Sequence, residues 1–160
     1  MITIGVLSDT HLIQPDKWFL EKAELYLKDT DMILHAGDLT SLSVLDVFEG
    51  KTIHAVHGNM CTHKTRESLE SSKIIEVGNF RLALVHGYGY APNIEDRLFD
   101  AFAPIDCIVY GHTHKPVCRR YGPTLMVNPG SFTITGTYGI IKVDDRSMEG
   151  KIHFMGGGGL

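Results

Sequence analysis

Short apolar runs alternate with amphipathic stretches along the first third of the chain. Residues 2–7 form a run rich in β-branched side chains, which is typical of a strand buried on both faces. A helix is predicted to begin after Asp16, a suitable N-cap, because the apolar residues that follow recur at helical spacing. The next patterns predict a strand over 32–35, a helix over 41–48 and a strand over 52–56. This alternation favours a parallel sheet with crossover helices.

The pattern becomes richer in strands toward the C-terminal end. Runs at 73–77 and 81–85, separated by Gly78-Asn79, predict a hairpin because both turn residues tolerate positive φ. A helix is predicted over 93–101. Strands are predicted over 107–110, 125–127, 138–143 and 152–155, with a polar turn over 144–150 between the last two. We therefore expect an α/β fold of two packed sheets flanked by helices, in a single domain spanning residues 1–160 with a flexible Gly-rich tail at 156–160.

Composition narrows the function classes. A chain of 160 residues is long enough to bury a core without disulfides. It contains no apolar stretch long enough to span a membrane and no signal-peptide pattern, so we expect no membrane partner and a cytoplasmic location. Fifteen Lys and Arg against nineteen Asp and Glu give a net charge of −4, which argues against a broad basic surface for a long nucleic-acid duplex. The three cysteines are not spaced as C-x-x-C, so neither a disulfide framework nor a Cys-rich zinc site is expected.

Histidine is the over-represented residue type, with nine in the chain. Five predicted strands end in a small residue next to a side chain that can bind a metal. These candidate ligands are Asp9, His11, Asp38, Asn59, His86, His112 and His114. Each alone is an ordinary turn residue, but ligands of open α/β sheets bind outside the carboxyl ends of the strands, where all seven are expected to converge. The repeated position therefore predicts one shared site.

The donor set indicates which ions this site would hold. Two carboxylates, one amide oxygen and four imidazoles exceed the four ligands of a tetrahedral zinc ion. They suit two divalent transition-metal ions, with manganese as the first expectation and Fe, Ni, Co or Zn as alternatives. Two such ions can acidify water and clamp the oxygens of a displacement at phosphorus.

The motif order D-x-H, G-D, G-N, H-G and G-H-x-H, followed by N-P-G-S at 128–131, resembles the calcineurin-like metallophosphoesterase superfamily. The compact length and the H-A-G-D form of the second motif are similar to its small bacterial and archaeal phosphodiesterase branch. The resemblance runs from residue 2 to about residue 131. It implies a four-layer αββα sandwich of two mixed β-sheets flanked by helices. It also implies that Asp9, His11 and His114 hold the first ion, that Asn59, His86 and His112 hold the second, and that Asp38 bridges them.

The function implied by this resemblance is a dimetal-dependent phosphodiesterase that hydrolyses a small phosphate ester through a metal-bridging hydroxide. Asp38, Asn59 and His112 are expected to serve catalysis directly. Two alternatives stay open: a phosphomonoesterase or nuclease of the same superfamily, and a non-catalytic scaffold that binds proteins. A homo-oligomer is equally open.

One departure from the family pattern concerns the proton donor. Many relatives have a histidine after the motif asparagine, whereas this chain has Met60-Cys61 there. His57 and His63 are nearby replacements as proton donor or substrate contact. Without a donor, leaving groups that depart unprotonated are favoured, such as those of activated aryl diesters. Lys64 and Arg66 either attract an anionic substrate or simply face solvent.

Overall fold

The computed structural model describes residues 1–89 and 91–156. Of the predicted tail at 156–160, residues 157–160 lie outside the described residues. The strands are β1 Ile2–Leu7, β2 Met32–His35, β3 Thr52–Ala55, β4 Ser72–Val77, β5 Phe80–Val85, β6 Cys107–Val109, β7 Val117–Tyr121, β8 Thr124–Asn128, β9 Thr137–Val143 and β10 Met148–Phe154. The helices are α1 Lys17–Leu27, α2 Ser43–Asp46, α3 His63–Ser68 and α4 Ile94–Phe102, the last preceded by the 3₁₀ turn Ala91–Asn93. Among the described residues, no helix is long and apolar enough to cross a membrane.

The strands form two mixed sheets, as predicted, and each sheet has five strands. The first sheet has the order β10-β9-β1-β2-β3, in which β1, β2 and β3 are parallel. The second has the order β4-β5-β6-β8-β7, in which β5, β6 and β8 are parallel. The carboxyl ends of three neighbouring strands in one sheet, and of two in the other, therefore carry the five motifs.

Packing explains the four layers. Val6 and Leu34 of the first sheet pack against Leu84 and Val127 of the second in the core between the sheets. The neighbouring residues of β1 and β2 point the other way, so Leu7 and Ile33 pack with α1 on the outer face. These strands read as continuous apolar runs because both of their faces are buried. α4 covers the outer face of the second sheet in the same manner.

Local signals decide how well each helix was predicted. Asp16 caps α1, since its Oδ1 accepts a hydrogen bond of 2.8 Å from the backbone N–H of Phe19. The helix predicted over 41–48 shrinks to Ser43–Asp46 because its flanks close with i to i+3 backbone hydrogen bonds, such as Phe48 N–H to Leu45 C=O.

Further details differ from the predictions. α3 was missed because it is a short polar helix without an apolar stripe, although Thr62 caps it. β7 was missed because it is an edge strand with two exposed arginines at its centre. The turn predicted over 144–150 is shorter: Asp144 accepts hydrogen bonds from the N–H groups of residues 146 and 147, and β10 begins at the buried Met148.

Candidate metal centre

The strand-end loops bring carboxylates and imidazoles from four motifs together. Asp9 Oδ1 lies 3.2 Å from His114 Nε2 and 3.8 Å from His11 Nε2. The same oxygen lies 3.9 Å from His86 Nε2, which is 3.2 Å from Asp38 Oδ2. We call Asp9, Asp38 and His86 the inner triad, and Asp9, His11 and His114 the outer triad. The donor atoms within each triad are close enough to hold one ion.

Two buried atoms in this cluster have no hydrogen-bond partner among the described residues: Asp9 Oδ1 and His86 Nε2. Leaving a buried polar atom unsatisfied typically costs about 1–3 kcal/mol, and more when it is charged. The 3.2 Å separation of His86 Nε2 from Asp38 Oδ2 brings charge attraction without the geometry of a hydrogen bond. A cation between these atoms would satisfy both, so the residues present fit a metal centre.

Each donor of the inner triad is oriented by a second contact. Ser8 Oγ donates a hydrogen bond of 2.5 Å to Asp9 Oδ2, which leaves Oδ1 toward the cluster. The N–H of Met60 donates at 2.7 Å to Asp38 Oδ1, which leaves Oδ2 toward His86. His86 Nδ1 donates at 2.7 Å to the carbonyl of Ala36, so in the neutral ring the lone pair is on Nε2, facing the cluster. Such outer contacts are characteristic of metal-ligating histidines and carboxylates.

The backbone around the cluster is strained. Six non-glycine residues in the described ranges have positive φ, and five of them are predicted ligands. These five are Asp9, His11, Asp38, His112 and His114. Left-handed conformations of this kind cost energy and concentrate at functional sites. The strain therefore points to the same place as the unsatisfied atoms.

Two glycines leave room for the donors. A Cβ at Gly37 would lie 2.6 Å from His86 Nδ1, and a Cβ at Gly58 would overlap the Asp38 carboxylate. Both glycines are therefore required by close approach, and Gly37 additionally by its φ of +94°.

His86 and Asp38 shift each other's pKa through their opposite charges. Burial lowers the pKa of His86, but its contact with Asp38 and the negative charge of Asp9 outweigh this and raise the pKa. Burial raises the pKa of Asp38, but the contact with His86 and the N–H of Met60 outweigh it and lower the pKa. Without an ion, the inner triad thus favours a proton on His86 Nε2. A metal ion would compete with that proton for the same lone pair.

His35 supports the two loops that carry Asp9 and Asp38. Its ring is fully buried; Nε2 lies 3.1 Å from Thr10 Oγ1, and Nδ1 accepts a hydrogen bond of 3.3 Å from the N–H of Gly37. Because Nδ1 accepts, Nε2 carries the proton and donates to Thr10. Burial and the positive charge of His86 lower the pKa of His35 to about 3, so the ring is neutral. It connects the loop of Asp9 with the loop of Asp38.

The remaining predicted residues lie around the cluster rather than inside either triad. The ring of His112 packs edge-on against that of His86 at 5.3 Å, and its Nε2 lies 3.1 Å from the carbonyl of Gly89. Asn59 is exposed and lines a cavity beside His86, together with His57. His63 is exposed on α3, where its Nδ1 is 3.2 Å from Glu67, and it does not line that cavity.

Sequence reasoning missed several supporting residues. Ser131 Oγ donates at 2.7 Å to the carbonyl of Asp9, and Asn128 Nδ2 donates at 3.0 Å to the carbonyl of Gly111. Ser8 was visible as the residue before Asp9, but nothing in the pattern indicated its hydrogen bond. The N-P-G-S segment was the available signal for the other two.

Comparisons with known proteins point to one family. A sequence model of the calcineurin-like phosphoesterase superfamily domain matches residues 2–146. A "Probable metallophosphoesterase" of Methanothermobacter thermautotrophicus is 31% identical over 156 residues, covering 93% of this chain and 90% of that protein. A phosphodiesterase of Methanocaldococcus jannaschii is 27% identical over an alignment of 165 residues, covering 89% of this chain and 94% of that protein. The crystal structure of Vps29 from Chaetomium thermophilum superposes with a TM-score of 0.76 at 19% identity, covering 95% of this chain and 88% of that one, which shows a shared fold alone.

Proposed function

This chain belongs to the calcineurin-like phosphoesterase superfamily, and on that premise we propose that it hydrolyses small phosphate diesters with the help of two divalent transition-metal ions. The observation that carries the proposal is the pair of unsatisfied buried atoms, Asp9 Oδ1 and His86 Nε2, at the junction of the two triads. A purely structural turn would have no reason to leave both atoms without partners.

We propose that Asp9, His11 and His114 hold one ion and that Asn59, His86 and His112 hold the other, with Asp38 between them. The outer triad supports the first set directly, since its three donors face one another. For the second set, His86 lies beside the ring of His112 and shares a cavity lining with Asn59. Asp9 contributes to both triads, so we propose a central role for this carboxylate beside that of Asp38.

Divalent ions at these positions would acidify water near neutral pH and neutralise the phosphoryl oxygens. The protein's own contribution is orientation: Ser8 and Met60 each hold one carboxylate oxygen so that the other faces the reacting centre. His112 and Asn59 border the place where a phosphoryl group would sit. As proton donor we favour His57, because it lines the cavity beside His86, whereas His63 is paired with Glu67 on an exposed helix.

Several narrower expectations remain proposals. Manganese is the ion we propose first, on the mixed imidazole and carboxylate donor set. A cytoplasmic location is supported by three free cysteines in the structure. We also propose a single domain over residues 1–160, and a homo-oligomer remains one of the possible states.

The test combines metal analysis with an ester panel. Purified protein should carry about two transition ions per chain, and chelation should abolish hydrolysis of bis(p-nitrophenyl) phosphate until metal is restored. Turnover of p-nitrophenyl phosphate should be much slower; faster turnover would favour the phosphomonoesterase. Cleavage of DNA or RNA faster than of the aryl diester would favour the nuclease. Absence of turnover with every metal, together with a stoichiometric protein partner, would favour the scaffold.

A further inference from the structure

A cavity of about 380 Å³ opens beside the inner triad. His86 and Asn59 line it, and so does Val85, the last residue of β5. The cavity therefore shares lining residues with the candidate metal centre. Its volume lies in the range of pockets that bind small organic ligands.

The floor of this cavity is apolar. Ile94 and Leu98 of α4 are buried, and with Val85 and Phe102 they form a continuous surface between α4 and the second sheet. Such a surface gains free energy by covering an apolar group.

The rim of the cavity is basic. Arg66 of α3 and Arg97 of α4 both line it, and none of the described lining residues is Asp or Glu. Arg97 Nη2 donates at 2.6 Å to the carbonyl of Tyr88, and its guanidinium lies 5.5 Å from the centre of the Tyr88 ring, which holds the rim in place. Arg66 is exposed and has no carboxylate within ion-pair distance in the described part of the chain. Its charge is available to an anion at the rim.

We propose that this cavity is the subsite for one apolar, aromatic-sized ester group of the substrate, with Arg66 attracting the phosphate charge at the rim. This proposal rests on the proposed function, because it assumes a phosphoryl group at the metal centre. It narrows the substrate class to diesters that carry a planar or branched apolar group.

The test is a binding experiment that needs no turnover. Phenylphosphonate and methylphosphonate share the anionic head and differ in the group that would enter the cavity. On the metal-loaded protein, titration calorimetry should show phenylphosphonate binding about tenfold to a hundredfold more tightly, as expected for burial of one ring. Equal affinities would overturn the proposal.

Two variants locate the effect. Ala101 is an exposed residue of α4 that lines the cavity, so Ala101→Trp fills the space without disturbing the core. It should reduce the preference for the phenyl compound to less than about threefold, since the ring no longer fits. Arg66→Ala should weaken the binding of both phosphonates by a similar factor. Lys64 is on the same exposed helix but outside the cavity lining, so Lys64→Ala should not weaken it. A preference that survives Ala101→Trp would contradict the proposal.

The outcomes separate this proposal from the proposed function. If no ester is hydrolysed with any metal but the phenyl preference depends on Ala101, the subsite stands and the phosphodiesterase fails. If bis(p-nitrophenyl) phosphate is hydrolysed but the two phosphonates bind equally, the subsite alone fails.

Discussion

The inner and outer triads share Asp9 but differ in their exposure to water. The side chains of Asp38 and His86 are each 4% exposed, whereas those of His11 and His114 are 26% and 34% exposed. The inner donors are also held by more protein contacts, through Met60 and the carbonyl of Ala36. One half of the centre is thus built into the protein interior, and the other half lies at its surface.

This difference has an energetic consequence. A buried carboxylate and imidazole cannot form hydrogen bonds with water instead. Removal of one partner therefore leaves an uncompensated charge or an unsatisfied atom. The two outer histidines can be solvated when nothing binds them. Their Nε2 atoms lie 3.3 Å apart, which is a favourable arrangement for sharing one ion. We therefore expect an ion at the inner triad to exchange slowly and one at the outer triad to exchange quickly.

The largest effect is expected for Asp9→Asn, because Asp9 is the residue common to both triads. The amide has one oxygen and no charge, so the binding of both ions should be weakened together. We expect metal content to fall from about two ions to below one and hydrolysis of bis(p-nitrophenyl) phosphate to fall about 10³-fold or more. Metal analysis and steady-state kinetics measure both. Asp100→Asn, at an exposed position of α4, is the matched control and should change neither. Loss of only one ion in Asp9→Asn would show that the two triads are independent.

A smaller loss of activity should distinguish the inner triad from the outer triad. His86→Asn keeps a donor for the carbonyl of Ala36 but removes the inner imidazole, and we expect a loss of about 10²-fold in activity that excess metal does not restore. His114→Asn removes a half-buried donor whose partner His11 remains, so added metal should restore most of its activity. Activity measured against metal concentration separates the two. Equal rescue of both variants would mean that burial does not govern metal retention at this centre.

The fold was largely predictable from the sequence because its signals are local. Strands such as β1 and β2 are buried on both faces, which gives continuous apolar runs, and Asp16 gives α1 a clear start. The elements that were missed lack these signals. β7 is an edge strand that contains the exposed Arg119, and α3 is polar on every side.

The proximity of the candidate ligands was predictable more than their detailed geometry. The sequence placed all candidate ligands at strand ends, since parallel strands share an edge. It could not indicate that Asp9 faces both triads, because this depends on Ser8 and the N–H of His112 holding its other oxygen. Nor could it show that His112 lies against the carbonyl of Gly89. The contacts of His112 with Asp9 and with Gly89 join residues that are 103 and 23 positions apart in the chain, separations that no local pattern encodes.

The smallest effect concerns His35, which supports both loops and should make the metal-free protein sensitive to acid. In the unfolded chain His35 should take up a proton near its ordinary pKa of 6.5, but in the folded protein not until about pH 3. The unfolded state therefore binds more protons between these values, so stability is full above about pH 6.5 and falls as the pH drops toward 3. From pH 7 to pH 5 this one group should reduce the free energy of unfolding by about 2 kcal/mol. Urea unfolding in the presence of a chelator at both pH values measures the loss, which should be smaller by that amount in His35→Asn.

The control His54→Asn removes a histidine whose pKa is lowered by burial and by Lys73 but which is less deeply buried. The pH dependence of the free energy of unfolding should therefore change less in this variant. An equal loss in wild type and His35→Asn would show that the folded loops accept a charge at His35, which their neutral hydrogen bonds to Thr10 and Gly37 argue against.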